Sequence, residues 1–291
     1  MAVTNSITTM IAYAPLLDAV YKENSLTSVL DSNENLLRLV GKEFKVAEQV
    51  LDGLASHVRT GGGAYVDGGA TLTWRSYTPD YDRNRKFVID TQDNVETAEI
   101  AFGTISGEFI RTKVVPEVDA YRFAKLATLA GTKVGADLST TAAFLAAVLV
   151  AINAMDEAEV PQEGRWLFAT PTLINGIMAL DTTESREVIA YFGDRIRKVP
   201  QTRFYTSIDL NDGVTVGQTA GGYAKALAAK DLNFLVVHPS AVISGLKHVA
   251  PKYIPASVSE SYDGDGFAYR IYGLTSVLKI KEKAIYAHSK A

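Results

Sequence analysis

The sequence predicts an α+β fold, and three observations carry that expectation. Asp90 to Gly131 holds a helical signal long enough to make a rod. Phe44 to Asp90 holds short β-prone pieces around a cluster of glycines. From Arg165 onwards, strand-to-helix units give way to alternating segments that read as antiparallel strands. The chain has 291 residues, 47% apolar and 21% charged, which are ordinary globular proportions with room for one large domain or two lobes.

Residues 1–40 scatter Ile7, Met10, Ile11, Leu16, Leu17 and Val20 around Pro15 with weak periodicity. This is the pattern either of an arm laid on another surface or of a frayed terminus. Phe44 to Val50, Thr71 to Tyr77 and Lys86 to Ile89 then read as strands, with Gly61–Gly63, Gly68 and Gly69 between the first two. A phosphate-cradling loop fails there, because no Lys-Ser or Lys-Thr pair follows and no helix opens behind the glycines. They mark a flexible hairpin tip instead. A hairpin so long and polar has no core of its own, so it is expected to project and touch a neighbour.

In the rod, Ala98, Phe102, Ile105 and Phe109 follow at steps of four, three and four, along one helix face. Asp93 or Asn94 can cap its start, where Glu96 and Glu99 suit the positive end of the helix dipole. Pro116, with Glu117 and Asp119 behind it, reads as the first position of a second segment running through Tyr121 and Phe123 to Gly131. The expectation is a kinked or two-piece rod of about 60 Å if fully helical.

Leu138 to Met155 reads as a buried helix, capped by Asp137 or Ser139 and stopped before Pro161. Arg165 to Ala179 and Asn233 to Lys247 both read as strand, proline, helix, with Thr170 or His238 just before the proline, and suggest an α/β lobe. Asp181 to Lys230, with Asn211-Asp212 before Gly213 and the pair Gly221-Gly222, reads as loops and short strands. Ala268 to Tyr272, Val277 to Lys281 and Ala284 to Tyr286 alternate as antiparallel strands with one wet face, separated by turns at Asp263–Gly266 and Gly273. They are expected to lie against the rod and the Leu138 helix.

A net charge of −4 argues against a dedicated DNA-binding protein, though not against a local basic strip. With no cysteine there are no disulfides or thiolate metal sites. No run reaches the ~20 apolar residues of a membrane span, Ala142 to Ile152 coming nearest, and no secretory signal opens the chain, so a cytosolic protein is expected. His57, His238, His248 and His288 are scattered without zinc spacing, and His238 reads as a cap or packing residue. There is no Gly-x-Ser-x-Gly elbow, and the Asp263–Gly266 turn lacks the other ligands of a calcium loop. No catalytic, cofactor or metal site is expected, and the chain is not expected to be an enzyme.

Other residues suggest contact. Trp74 and Tyr77 on the hairpin, with Tyr81 at its base, are aromatic side chains of the kind enriched at interface centres. Arg83, Arg85 and Lys86 form a basic group that is either a solvated strand edge or an intersubunit ion-pairing site. Glu117 and Asp119 beside Arg122 invite reading as an acid pair, but charge complementarity at a helix start or a salt bridge to a neighbouring chain is the simpler account. These nine residues are the expected intersubunit contacts.

The wording resembles the major capsid proteins of tailed bacteriophages, those with the Hong Kong 97-like fold. The resemblance rests on Asp82-Arg83-Asn84-Arg85-Lys86-Phe87 with Ile89-Asp90, on Glu96-Thr97, and on Val114-Val115-Pro116-Glu117-Val118-Asp119-Ala120-Tyr121-Arg122-Phe123. It continues in the Arg165 to Ala169 strand and the ending Arg270-Ile271-Tyr272-Gly273, and covers residues 40–287. It implies an N-terminal arm (1–40), an E-loop hairpin (41–93), a P-domain with a spine helix (94–164) completed by a returning sheet (247–291), and an A-domain (165–246). It also implies pentamers and hexamers in an icosahedral shell around a double-stranded DNA genome, assembled in the host bacterial cytoplasm. A portal protein, a separate scaffolding protein and a possible decoration protein are the implied partners, with DNA touched non-specifically and no membrane. Residues 1–40 leave no room for the cleaved scaffolding region of some members, Asp181 to Lys230 is too short for an extra β domain, and the lysine-poor hairpin implies no cross-links. An encapsulin-type compartment shell of the same fold is the nearest alternative; an α/β enzyme using residues 165–246 is a rival of another class.

Overall fold

In the computed structural model the described residues are 25–31, 38–40, 43–57, 65–90, 107–255 and 264–291. The Ala98, Phe102 and Ile105 stripe, the Gly61–Gly63 cluster, Asp263 and residues 1–24 of the expected arm lie outside them.

β1 (Arg38–Val40), β2 (Glu43–Leu51) and β3 (Ala70–Tyr77) form an antiparallel ribbon in which Phe44 faces Tyr77 and Leu51 faces Ala70. Alternation along β2 sets its faces: Phe44, Val46 and Glu48 are buried, while Lys45 is half-buried and Ala47 and Gln49 are exposed. Phe44 and Val46 pack on Ile243, Leu274 and Leu278 and anchor the base of the ribbon. Further out it projects, with β3 exposed from Ala70 to Ser76 and Leu54 and Tyr65 almost wholly exposed.

β4 (Tyr81–Asp90) leaves the ribbon for a second antiparallel sheet, ordered β11 (Val242–Ile254), β12 (Gly264–Val277), β4. Its register runs from Tyr81 opposite Gly273 to Asp90 opposite Gly264.

Helix α1 comprises a turn at 107–109, a π-turn at Ile110–Val114 and the α-helical run Val115–Leu129. It continues unbroken through Pro116, where the sequence reading places a kink or a new segment. Proline lacks an N–H, and its ring crowds the carbonyl four residues back. The π-turn, closed by the Val115 N–H on the Ile110 carbonyl, widens the helix where that carbonyl lies. From Val115 to Ala127 nearly every side chain of α1 is buried, as expected of a helix enclosed on all sides.

β5 (Thr132–Gly135) leads to α2 (Thr141–Glu157). Thr140 caps α2, accepting from the Ala143 amide at 3.2 Å, in place of Asp137 or Ser139. β6 (Trp166–Ala169) then enters α3 (Pro171–Ala179) with proline in the first turn. Where the sequence predicts loops, α4 (Thr183–Phe192) starts on a reciprocal capping box of Thr182 and Ser185. Short strands β7 (Ile196–Lys198), β8 (Ile208–Leu210) and β9 (Tyr223–Lys225) precede β10 (Leu232–Val237), which is buried throughout.

His238-Pro239 does not repeat the strand-to-helix unit. Pro239–Ala241 makes a single 3₁₀ turn and the chain passes directly into β11. Val242 and Ile243 are fully buried and β11 pairs with β12 along its length, so tertiary pairing overrides the local helix signal. β12 runs straight through Gly273, where a turn is predicted, and Lys279–Ala284 coils into 3₁₀ turns instead of a strand.

The main sheet has the order β5-β13-β10-β6-β7, where β13 is Ile285–Ser289. Its centre is antiparallel and both outer pairs are parallel. The return of residues 247–291 therefore divides: β12 pairs with β4, whereas β13 joins the lobe of β6 and β10. On one face α1 places Phe123 edge-on to Phe168 and Phe204, ring centroids 5.3 and 5.1 Å away. On the other, Phe144 of α2 packs edge-on to Phe234 at 5.5 Å.

Candidate functional site

Because α1 is buried all round, its charged side chains must find partners inside the subunit. Asp119 is completely buried. One carboxylate oxygen accepts from the Ser25 hydroxyl at 2.9 Å and from the Thr27 amide and hydroxyl at 3.2 and 2.7 Å. The other accepts from the Leu26 amide at 3.1 Å and faces Arg203 at 3.5 Å. Arg122, one helical turn on, points to the same side. It donates to the Thr27 carbonyl at 3.1 Å, to Asp31 at 2.6 Å and to the Ser244 hydroxyl at 2.8 Å. Glu117, also buried, accepts from the Tyr81 hydroxyl at 3.0 Å and from Arg83 at 2.7 Å.

This corrects the expectation that Glu117, Asp119 and Arg122 meet a neighbouring subunit. They bind α1 to residues 25–31, to β4, to the turn at Gln201–Arg203 and to the start of β11, and Asp119 has no exposed surface to offer. Ser25, Thr27, Asp31, Arg203 and Ser244 escape sequence reasoning, because nothing local marks a residue whose partner is so distant in the chain.

The aromatic and basic candidates separate in the same way. Tyr81 is a core residue, 1% exposed with its ring 4.6 Å from Tyr121. Burial, reinforced by the Asp80 carboxylate, pushes the Tyr121 phenol far above its ordinary pKa. Tyr77 is half-buried against Phe44 and Val46. Arg83 bridges Glu117 and the Gly222 carbonyl, the latter at 3.2 Å, and Arg85 donates to the Thr219 carbonyl at 3.2 Å. Lys86 is exposed, and Trp74 on the ribbon is 52% exposed.

Between β4, the start of α1 and the 211–222 loop lies an open cleft of about 750 Å³. Phe87, Phe109 and Tyr269 make its apolar wall, with Phe109 edge-on to both others at 4.9 and 6.0 Å, while Arg85, Lys113 and Asp212 add charge. Its charges include no nucleophile paired with a base. His238 is a cap: Nδ1 accepts from the Ser240 amide at 3.2 Å, and Nε2 lies 3.0 Å from the Glu163 carbonyl, to which its proton is donated. Burial, with a contribution from Lys281, lowers its pKa and keeps the ring neutral. Among the described residues there is no cluster of side chains able to hold a metal, and no helix long and apolar enough to cross a membrane.

No family model matches the chain, and no curated protein matches it in sequence. Solved structures do match. The capsid of cyanophage P-SCSP1u aligns over 88% of this chain and 85% of its own, with a TM-score of 0.53 and 16% identity. The capsid of Staphylococcus phage Andhra aligns over 90% and 84%, with a TM-score of 0.58 and 10% identity. The chain has the Hong Kong 97-like fold. A virus-like particle from Pyrococcus furiosus also matches, over 97% of this chain and 99% of that one, with a TM-score of 0.57 and 12% identity. In this Hong Kong 97-like fold the buried charges belong to the framework, while Leu51, Leu72 and Trp74 of the ribbon and Val214 and Val216 of the 211–222 loop are among the exposed apolar side chains.

Proposed function

We propose that this chain is the major capsid protein of a tailed bacteriophage, a structural protein that self-assembles as pentamers and hexamers into an icosahedral shell around a double-stranded DNA genome. The observation that carries the reading is the ribbon. Val50, Leu51, Leu54, Leu72 and Trp74 are exposed on an element anchored only at its base, and nothing among the described residues covers them. Apolar side chains on a projecting arm suit an element that another copy covers, and repeated copies of such a contact close into a shell.

In this reading residues 1–40 are the arm and 41–93 the E-loop. Residues 94–164 with the returning 247–291 form the P-domain and 165–246 the A-domain, with β5 and β13 joining the A-domain strands in one sheet. The shell assembles in the host bacterial cytoplasm with a separate scaffolding protein and a portal, touches DNA non-specifically, and is open to a decoration protein. Electron microscopy of the chain expressed with its scaffold is expected to show closed shells, and a species that stays monomeric under all such conditions would overturn the reading.

An encapsulin-type compartment shell is the second reading, favoured by the nearly end-to-end match to a virus-like particle. Purified particles decide between them: packaged double-stranded DNA supports the capsid, and an enclosed enzyme supports the compartment.

A further inference from the structure

The 211–222 loop combines a fixed backbone with an apolar tip. Asn211 donates its amide to the Gly222 carbonyl at 2.9 Å and its side-chain amide to the Gly221 carbonyl at 3.0 Å, closing the neck of the loop. Asp212 accepts from the Val214 and Thr215 amides at 2.8 and 2.9 Å and from the Thr215 hydroxyl, which shapes the tip. Those contacts hold its carboxyl below the usual range. Yet Val214 and Val216 are 82 and 95% exposed.

The loop is also gripped from outside itself, by β4. Arg85 reaches the Thr219 carbonyl and Arg83 the Gly222 carbonyl. The loop is built around the Arg85 guanidinium: Gly213 has φ +78°, and a Cβ there would stand 2.9 Å from Arg85 Nη1. Gly221, at φ +69°, would place one 3.7 Å from the same nitrogen. Among the described residues Arg85 forms no ion pair with a carboxylate, so its charged donors serve the loop backbone.

We propose that Arg85 is a positioning residue for assembly, fixing the 211–222 loop so that Val214 and Val216 are presented to a second copy of the chain. The inference rests on the shell reading and adds to it a link between two outward elements. β4 continues from the ribbon and also holds the loop, so Arg85 and Arg83 set the loop's place relative to the ribbon base. A preordered loop loses little further freedom on contact, which favours association. A neighbouring copy is the occupant because shell subunits meet the same surface repeatedly in one orientation.

The test uses the full chain with amide hydrogen exchange and shell assembly side by side. In Arg85→Ala, amides of residues 212–222 should exchange about tenfold faster, the loss of one hydrogen bond from a charged donor, while α1 is unchanged. Shell yield at the wild-type concentration should fall by at least about tenfold, since the loss repeats at every copy. Arg85→Lys should recover only part of both, having no planar fork to place in the loop. Val214→Asp with Val216→Asp should keep loop protection and lose shells. Normal shells from Arg85→Ala, or from the double valine variant, would overturn the inference and leave the shell reading standing. No shells from the wild type either would overturn the reading itself.

Discussion

The Asp119 carboxylate and the Thr27 hydroxyl share a 2.7 Å hydrogen bond, and the same hydroxyl accepts from Arg122 at 3.1 Å. One threonine thus relays between two opposite buried charges of α1. Asp119→Ala strands the donors of residues 25–27 and removes the countercharge facing Arg203. The expected cost is about 3–5 kcal/mol, the range for deleting one member of a buried charged network. Thr27→Val, similar in shape, should cost about 1–3 kcal/mol. Urea unfolding of the subunit measures both, and a wild-type midpoint for Asp119→Ala would contradict the buried network.

Tyr81 and Trp74 should behave oppositely. Tyr81→Ala removes a fully buried ring and should cost about 3–5 kcal/mol of subunit stability. Trp74→Ala, on the exposed ribbon, should change the stability of the chain by no more than about 0.5 kcal/mol and, if the proposed shell forms, lower the yield of shells. Thermal melting by circular dichroism, with electron microscopy of assembly mixtures, separates the effects.

Gly131 is a test of close approach. Its amide donates to the Glu282 carbonyl at 2.9 Å, and a Cβ would stand 2.6 Å from that same carbonyl. Gly131→Ala must push the Lys279–Ala284 turn away, at about 1–3 kcal/mol for overpacking. A shift in melting temperature reports it, and faster amide exchange should centre on residues 279–284.

Acid should weaken the subunit through His238 and His288. Burial lowers both imidazole pKa values, and Lys281 adds to the effect at His238. The unfolded chain therefore binds these protons more readily than the folded one. Their contribution is complete above the unfolded value of about 6.5 and is lost as pH falls from there through the folded pKa. The melting temperature should drop between about pH 7 and pH 5, and a His238→Gln, His288→Gln double variant should flatten that slope. Asp231, lowered by its contacts with Lys225 and Lys290, loses its contribution only further into acid, below its ordinary value of about 4.

The α+β class, the ribbon strands and the Arg165-to-α3 unit are legible in the sequence because periodicity and proline placement are local properties. α4 is missed, because charged neighbours surround its capping pair Thr182 and Ser185 and its Val188, Phe192 spacing and make the stretch read as loop. β11 was not, since Ser240 to Lys247 carries a helical pattern and becomes a strand only because β12 lies beside it. The charged side chains of α1 show the same limit. Their residue types announce that Glu117, Asp119 and Arg122 need partners, and whether those partners lie within the chain or in a neighbour depends on where residues 25–31 come to rest.

The sheet order β5-β13-β10-β6-β7 has a consequence for timing. β13, made after β5, β6 and β10, occupies an interior place between β5 and β10, and β12 must return to β4, which was made much earlier. The ribbon strands β2 and β3 can pair as soon as both are made, but the two larger sheets wait for β12 and β13. A nascent subunit therefore shows its sticky ribbon before it has a finished body. If copies join through the ribbon, as the proposed shell requires, that interval is when a growing chain is most exposed to premature association with others on the same polysome.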